Sequence, residues 1–549
     1  MSMRRSSVRL RVLGLLLGLF VLALGGVADA KVKNVIVLMC DGTGATHTTI
    51  ARWYKGGPLA MDQMQVGRVR TWAAESLITD SAPAATAFAT GHKASDKAIG
   101  VLPWSVTMPG VPKVASGDMG RPVASVMEAA RLMGKATGIV VTSNVQHASP
   151  AGYSAHWPDR NDYNEIGEQQ VYGGFQVVFG GGRKYLLPKS KGGTREDGED
   201  LLEELNRRGY KVITTKDEMR SLSSGPVFGL FAEDDLAYEF DRPLVAPSQP
   251  SLAEMTSKAI ELLSKDPDGF FLFVEGSKID WASHANDPVG VVSDVLAFDD
   301  AVRVAMDFAR KDRNTLVMVF SDHGNGGMSL GSKVTDKNYS KLPLNALLDP
   351  LKGAKLTGEG VEKVLGDDRS EMKIREVVAS FYGVSDLTDD EVKAVRDAKK
   401  GSMNYVLGPI ISKRSPIGWT TNGHTGEDLF INYYGLDKPL ATIENTDIAK
   451  ICAREMGTSL EKATGALFVD AEEAFRAIGA SAELDKTDPS NPVLVVRKGA
   501  ARAEMPLSKD LMRIGGRVVD LGGVCVLSPK TGKVYVPLKA VELFKASAR

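Results

Sequence analysis

Runs of β-branched, aromatic and aliphatic residues too continuous to leave one strand face in water recur along this chain. They are Val35-Ile36-Val37-Leu38-Met39, Ile139-Val140-Val141, Phe270 to Val274 and Leu316 to Phe320. Strands of this kind, alternating with helical stretches, fit a parallel sheet buried on both faces, so an α/β fold is expected, with a large, mostly parallel central sheet flanked by helices on both sides. Polar residues follow several of these runs at once: Asp41-Gly42, Glu275-Gly276 and Ser321-Asp322-His323. In an open α/β sheet the carboxyl ends of the strands are where ligands bind. Acidic and histidine side chains gathered there from distant parts of the chain therefore carry more weight than the same residues on helix surfaces.

Two stretches break the alternation. From about Ser329 to Arg414 the pattern is helical segments with loops, including a capping box at Thr388-Asp389-Asp390-Glu391 that opens a helix through Ala398. This reads as an insertion covering one end of the sheet. After about Asp485, Pro492 to Val496, Arg517-Val518-Val519 and Val534-Tyr535-Val536-Pro537 are separated by Gly and Lys turns, which predicts a small β-rich unit over 486–549 behind a catalytic domain spanning 31–485. A chain of 549 residues is long enough for both. With 67 Lys and Arg against 68 Asp and Glu there is no basic field to capture nucleic acid or an anionic membrane, so any attraction for an anion is local.

At the N-terminus Arg4, Arg5, Arg9 and Arg11 precede an apolar run from Val12 to Leu24 and then Ala28-Asp29-Ala30. The pattern is that of a secretory signal peptide over 1–30, cleaved before Lys31, and implies export to the periplasm or medium of a bacterium. The run is short of the roughly twenty apolar residues of a membrane span, so no stable anchor is expected after cleavage. Arg4-Arg5 leaves the Sec and twin-arginine routes both open. Only three cysteines are present, Cys40, Cys452 and Cys525, so a disulfide framework is excluded and buried thiols are expected.

Thr79 to Gly91 reads as an Ala-rich helix with Pro83 in its first turn and Gly91 past its end. Ser81 then sits at the helix N-terminus, where unpaired N–H groups and the positive dipole end favour an anion, although an isolated serine at such a position can equally be a simple cap. Asp280 and His284, at i and i+4, would share one helix face and could hold one zinc together. Asp322-His323, and His424 in Asn422-Gly423-His424-Thr425-Gly426, offer further oxygen and nitrogen ligands. The remaining histidines His47, His92 and His156 read as structural.

Taken in chain order, Asp41-Gly42-Thr43-Gly44, Asp80-Ser81-Ala82, His147-Ala148-Ser149-Pro150, Arg160, Glu275 to His284, Asp322-His323 and His424-Thr425-Gly426 resemble the alkaline phosphatase family over roughly Lys33 to Gly435. The resemblance implies two zinc ions and one magnesium. Asp280, His284 and His424 would bind the first zinc and Asp41, Asp322 and His323 the second, with Asp41, Ser149 and Glu275 around the magnesium. Ser81 would be the nucleophile that becomes phosphoserine, and Arg160 a planar clamp on the phosphate of a small phosphate monoester. Two metal ions about 4 Å apart suit an in-line phosphoryl displacement, which agrees with that assignment. His147 stands where family members carry Asp or His, and Trp281 where they carry Lys, His or Trp, so the magnesium site is where the transfer is least direct. The oligomeric state stays open, a homodimer included.

Other enzymes of the same superfamily are the nearest rivals. A sulfatase needs arginine two residues after the proline of its nucleophile motif, and here Ser81-Ala82-Pro83-Ala84 continues into Ala85. A phosphodiesterase is the alternative that persists, although Arg160 would pair with the extra anionic oxygen that a diester lacks. A non-catalytic binding protein on the same fold should have lost a nucleophile or ligand, and none is lost.

Overall fold

A computed structural model describes residues 31–548. The expected signal segment 1–30 lies outside the described residues. No helix among those described is long and apolar enough to cross a membrane.

Ten strands form the central sheet: β1 (Asn34–Cys40), β2 (Gln65–Arg70), β3 (Ala136–Asn144), β4 (Val177–Gly181), β5 (Lys211–Ile213), β6 (Val227–Leu230), β7 (Phe270–Gly276), β8 (Thr315–Phe320), β9 (Leu429–Tyr434) and β10 (Thr442–Glu444). Their spatial order is β10-β2-β9-β8-β1-β7-β3-β4-β6-β5. From β8 to β5 every pairing is parallel, whereas β9 runs antiparallel to both β8 and β2. All residues of β1, β3, β7 and β8 are buried, as their unbroken apolar runs require of strands covered on both faces. Alternate residues face opposite sides: Ile36 and Leu38 enter one apolar core, Val35, Val37 and Met39 the other.

Six helices matter for the chemistry at the strand ends: α1 (Ala45–Lys55), α2 (Ser81–Thr90), α3 (Ala148–Ser154), α4 (Tyr163–Tyr172), α5 (Lys278–His284) and α6 (Pro288–Asp312). In α2, Asp80 is the N-cap, its carboxylate accepting the Ala82 N–H, and Gly91 closes the helix in the left-handed region at φ 78°. Every residue of α2 is buried, which Ala at five of its ten positions permits by letting neighbouring backbone come close; a Cβ on Gly152 of α3 would meet Ala85 at 2.8 Å.

The insertion is helical over Leu344–Lys352, Gly358–Leu365, Glu371–Val377, Asp389–Asp397 and Met403–Arg414. The capping box forms as the sequence indicates, with Thr388 and Glu391 bonded reciprocally. Buried polar ties fasten this region to the sheet domain: Tyr382 donates to Asp287 at the start of α6, Thr357 to Asp241, and Lys278 pairs with Glu359. The three cysteines are free and buried.

A second sheet follows, an antiparallel meander of β11 (Ser481–Asp485), β12 (Val493–Lys498), β13 (Ala501–Pro506), β14 (Leu511–Ile514) and β15 (Arg517–Asp520). Its apolar core takes in Ala471 and Phe475 from the preceding helix, so the packed unit starts ahead of residue 486. The turn between β13 and β14 is driven into the catalytic domain. Lys509 pairs with Glu168 on α4 and with Glu199, Asp510 pairs with Arg208, and Ser508, Lys509 and Asp510 are all buried. Burial, only partly offset by Lys509 and Arg195, raises the Glu168 pKa to about 7. Lys509→Met should therefore destabilise the docked unit by about 3 kcal/mol, the low end of what removing one partner of a buried charge costs because Glu168 keeps Arg195, while leaving metal content unchanged. Urea unfolding followed with metal analysis checks this, and an unchanged midpoint would show that the turn contributes nothing to docking.

Candidate metal centre and active site

The carboxyl ends of β1, β7 and β8 deliver Asp41, Glu275 and the pair Asp322-His323 to one place, because β1 lies between β7 and β8. Asp41, Glu275, Asp322 and His323 have essentially no exposure. Both oxygens of Asp41 and of Glu275, and Oδ2 of Asp322, have no hydrogen-bond partner among the described residues. Burial and neighbouring carboxylates push the pKa of Asp41 well up, and burial raises Glu275 to about 7. So many desolvated carboxylates with so few donors are costly unless cations neutralise them, and the donor set of carboxylate oxygens and imidazole nitrogens fits divalent metals.

Three groups of ligand atoms lie close enough to hold an ion, each within 4.8 Å of one another: Asp280, His284 and His424; Asp41, Asp322 and His323; and Asp41, His147 and Glu275. In the first, Asp280 and His284 share a face of α5, with His284 Nε2 3.3 Å from Asp280 Oδ2. His424 arrives from a short antiparallel ladder in which it faces Asn325. The two histidines point Nε2 at Nε2, 3.2 Å apart, and each is oriented from behind: His284 Nδ1 donates to the Asn422 carbonyl at 2.6 Å and His424 Nδ1 to that of Thr79 at 2.9 Å. A proton on Nδ1 leaves the Nε2 lone pair facing the cluster, the usual way a protein fixes an imidazole for metal binding. Despite burial, the imidazoles of His284, His323 and His424 around it hold the Asp280 carboxyl far below its ordinary pKa.

In the second group His323 Nε2 lies 3.2 Å from Asp322 Oδ2 and 3.6 Å from Asp41 Oδ1, and its ring stacks on His424 with centroids 3.6 Å apart. Ser81 Oγ is 3.2 Å from the same Nε2, so the hydroxyl at the start of α2 borders this cluster. Arg160 follows α3; its Nη1 donates to both oxygens of Asp80, at 2.6 and 2.7 Å, and its Nη2 to His147 Nε2 at 3.0 Å. Burial disfavours the guanidinium charge, but Asp80 more than compensates and raises the Arg160 pKa.

Every candidate from the sequence, Asp41, Ser81, Ser149, Arg160, Glu275, Asp280, His284, Asp322, His323 and His424, thus lies in or beside this set of clusters. Ser149 brings a fully buried Oγ up to the Glu275 carboxyl. His147, which the sequence marks only as a departure from the family pattern, stands in the third group in its own right; burial, and then the charge of Arg160, lower its pKa to about 3, which keeps the ring neutral. Sequence spacing does not single out Asp80 either, although its place directly before Ser81 and its pairing with Arg160 make it the anchor of both. Of the histidines read as structural, His156 bridges Glu128 and the Gly100 carbonyl. A further acidic group, Glu168, Asp197 and Glu199, is spanned by Arg195 and Lys509, so most of its charge is countered from within the protein.

Known proteins resemble this chain over most of its length. The family model described as alkaline phosphatase matches residues 32–457. Alkaline phosphatase 3 of Bacillus subtilis (strain 168) is 36% identical over 441 residues, 76% of this chain and 88% of that protein. The repressible alkaline phosphatase of Saccharomyces cerevisiae is 32% identical over 494 residues, 80% of this chain and 83% of that one. Among solved structures, Thermus thermophilus alkaline phosphatase superposes with a TM-score of 0.68 at 27% identity, covering 80% of this chain and 97% of its own. A variant of the alkaline phosphatase from the Antarctic bacterium TAB5, with Mg bound in its M3 site, superposes with a TM-score of 0.55 at 26% identity over 78% of this chain and 99% of its own. With the family model spanning most of the chain and relatives this similar over three quarters of it or more, the chain belongs to the alkaline phosphatase family.

Proposed function

We propose that this enzyme hydrolyses phosphate monoesters through a phosphoserine at Ser81. Zinc would be held by Asp280, His284 and His424 and by Asp41, Asp322 and His323, and magnesium by Asp41, Ser149 and Glu275 with His147 at its edge. The observation that carries this reading is the position of Ser81 Oγ, 3.2 Å from His323 Nε2 at the N-terminus of a buried helix, beside cation-binding clusters on one side and Arg160 on the other. Bound there, the metals would act as Lewis acids that favour a deprotonated serine and stabilise charge on the attacking and leaving oxygens. Ser81 Oγ attacks phosphorus as the ester oxygen departs in line, and water then cleaves the Ser81 ester to release inorganic phosphate. Throughout, the Arg160 guanidinium and the Ser81 N–H at the positive end of α2 hold the equatorial oxygens. Arg160, oriented by Asp80, suits a dianionic monoester because it meets an oxygen that a diester would carry as an alkyl ester.

The purified mature chain, assayed against an aryl phosphate, an aryl phosphodiester and an aryl sulfate, tests this function. The monoester should be hydrolysed fastest by far; a faster diester would overturn the reading. Chelation should abolish hydrolysis, and zinc with magnesium should restore it. Activity that survives complete removal of metal would do the same damage. The N-terminal pattern supports export with removal of the first thirty residues, and a mature N-terminus at Lys31 on protein recovered outside the cytoplasm would verify it.

A further inference from the structure

We propose that His47 is a positioning residue, which locks the helix carrying Asp280 and His284 against the segment that follows Asp41. This inference rests on the metal sites proposed above. His47 sits in the first turn of α1 and is 2% exposed. Its Nδ1 accepts the Gly44 N–H at 3.1 Å, so that nitrogen carries no proton and the neutral ring must be protonated at Nε2. Nε2–H then donates to Ser283 Oγ at 3.0 Å, and the Ser283 hydroxyl donates its own proton to the Ile279 carbonyl at 2.8 Å. The directions of all three bonds follow from the first one. Burial lowers the His47 pKa to about 4, which keeps the ring in this neutral form.

What the relay joins gives it its importance. Ser283 lies on α5 directly before His284 and one turn after Asp280, two ligands of the first cluster. Gly44 closes the turn that begins at Asp41, a ligand of the second and third clusters. Among the described residues, the bond between His47 and Ser283 is the one that ties α1 to α5. The two segments are pressed together here: a Cβ on Gly42 would fall 2.5 Å from Asp280 Oδ1 and 2.9 Å from Asp280 Cα, and Gly42 has φ +65°. The edge of the His47 ring also meets Trp419, 6.2 Å between centroids, and Trp419 in turn crowds Gly326, whose N–H bonds the Gly423 carbonyl beside His424. Contact of this kind sets distance, and a hydrogen-bond relay adds direction. A shift of α5 along its axis would move Asp280 and His284 together, away from His424 and away from the Asp41 turn.

The test is zinc binding rather than turnover. Metal affinity of wild type, His47→Ala, His47→Gln, Ser283→Ala and the double variant His47→Ala with Ser283→Ala is measured by competition with a chromogenic chelator, and cobalt-substituted protein gives a visible spectrum of the ligand field. Partners that orient a ligand are worth about 10- to 100-fold in metal affinity. We expect His47→Ala and Ser283→Ala each to weaken the most loosely held zinc by about tenfold, the low end of that range because the relay reaches Asp280 and His284 through the α5 backbone, and to change the cobalt spectrum. His47→Gln, whose amide can still donate to Ser283, should recover most of the loss. The double variant should be no worse than either single one, because both substitutions cut the same relay. A folded His47→Ala or Ser283→Ala protein with wild-type zinc affinity and cobalt spectrum overturns the proposal, as does a double variant whose losses add; Ser283→Ala decides the matter if His47→Ala fails to fold. Wild-type protein that binds no zinc would instead overturn the metal reading itself.

Discussion

Ser81→Ala is expected to lower turnover of an aryl phosphate by at least about 10³-fold and by up to the roughly 10⁶-fold that loss of a covalent nucleophile can cost, while zinc content stays close to wild type. The asymmetry follows from where the atoms are. The six nitrogen- and oxygen-bearing side chains assigned to zinc come from the end of β1, α5, the end of β8 and the segment around His424; the serine hydroxyl reaches one of them, His323 Nε2 at 3.2 Å, but that ring is also tied through Nδ1 to the Gly324 carbonyl at 3.3 Å, and His284 and His424 are held by the Asn422 and Thr79 carbonyls. The Asp80 N-cap, which starts α2 and anchors Arg160, is also untouched by the substitution. Labelled phosphate should therefore be incorporated into wild type and not into the variant. Sustained turnover of Ser81→Ala through a trappable phosphoenzyme would remove Ser81 from the mechanism.

The parallel centre of the fold was legible because β1, β3, β7 and β8 are buried on both faces, and double burial writes itself into sequence as an unbroken apolar run. The outer strands were harder to read for the converse reason. β2 and β10 carry polar and partly exposed residues, and β9 reads Leu429 to Tyr434 without the acid or histidine that marks the inner strand ends. β11, at the edge of the small sheet, alternates exposed with half-buried positions over Ser481–Asp485, a pattern too weak to separate it from the domain before it. At the site, ligands that sit on strand ends or share a helix face announce themselves by spacing, as Asp322-His323 and Asp280 with His284 do. His47 could not be found this way. Its partner Ser283 is 236 residues distant, and neither residue type nor local spacing records that contact.

His424→Ala should separate the two halves of the reaction. His424 supplies one of two imidazoles in the first cluster and none of the ligand atoms in the second, so its loss should weaken metal there by at least the 10- to 100-fold that removing a mere orienting partner costs, with the Asp41, Asp322 and His323 cluster retained. Ser81 borders that second cluster, and Arg160 is held by Asp80 independently of His424, so the attack that forms phosphoserine keeps its nucleophile and its phosphate clamp. A good leaving group needs little stabilisation as it departs. Cleavage of the phosphoserine by water would draw on metal at the first cluster, the one Ser81 does not border, to activate that water, and it should become limiting. Mixing the variant with an activated aryl phosphate should release phenol in a burst that matches enzyme concentration, accompanied by stoichiometric covalent phosphate, and followed by steady turnover slowed by at least about tenfold, the lower end of the same range. Because His323 stacks on His424, the second cluster should be checked for occupancy in the same sample by metal analysis. One zinc fewer with unchanged steady turnover and no burst would show that both chemical steps proceed without the first cluster, and the division of labour between the two would have to be given up.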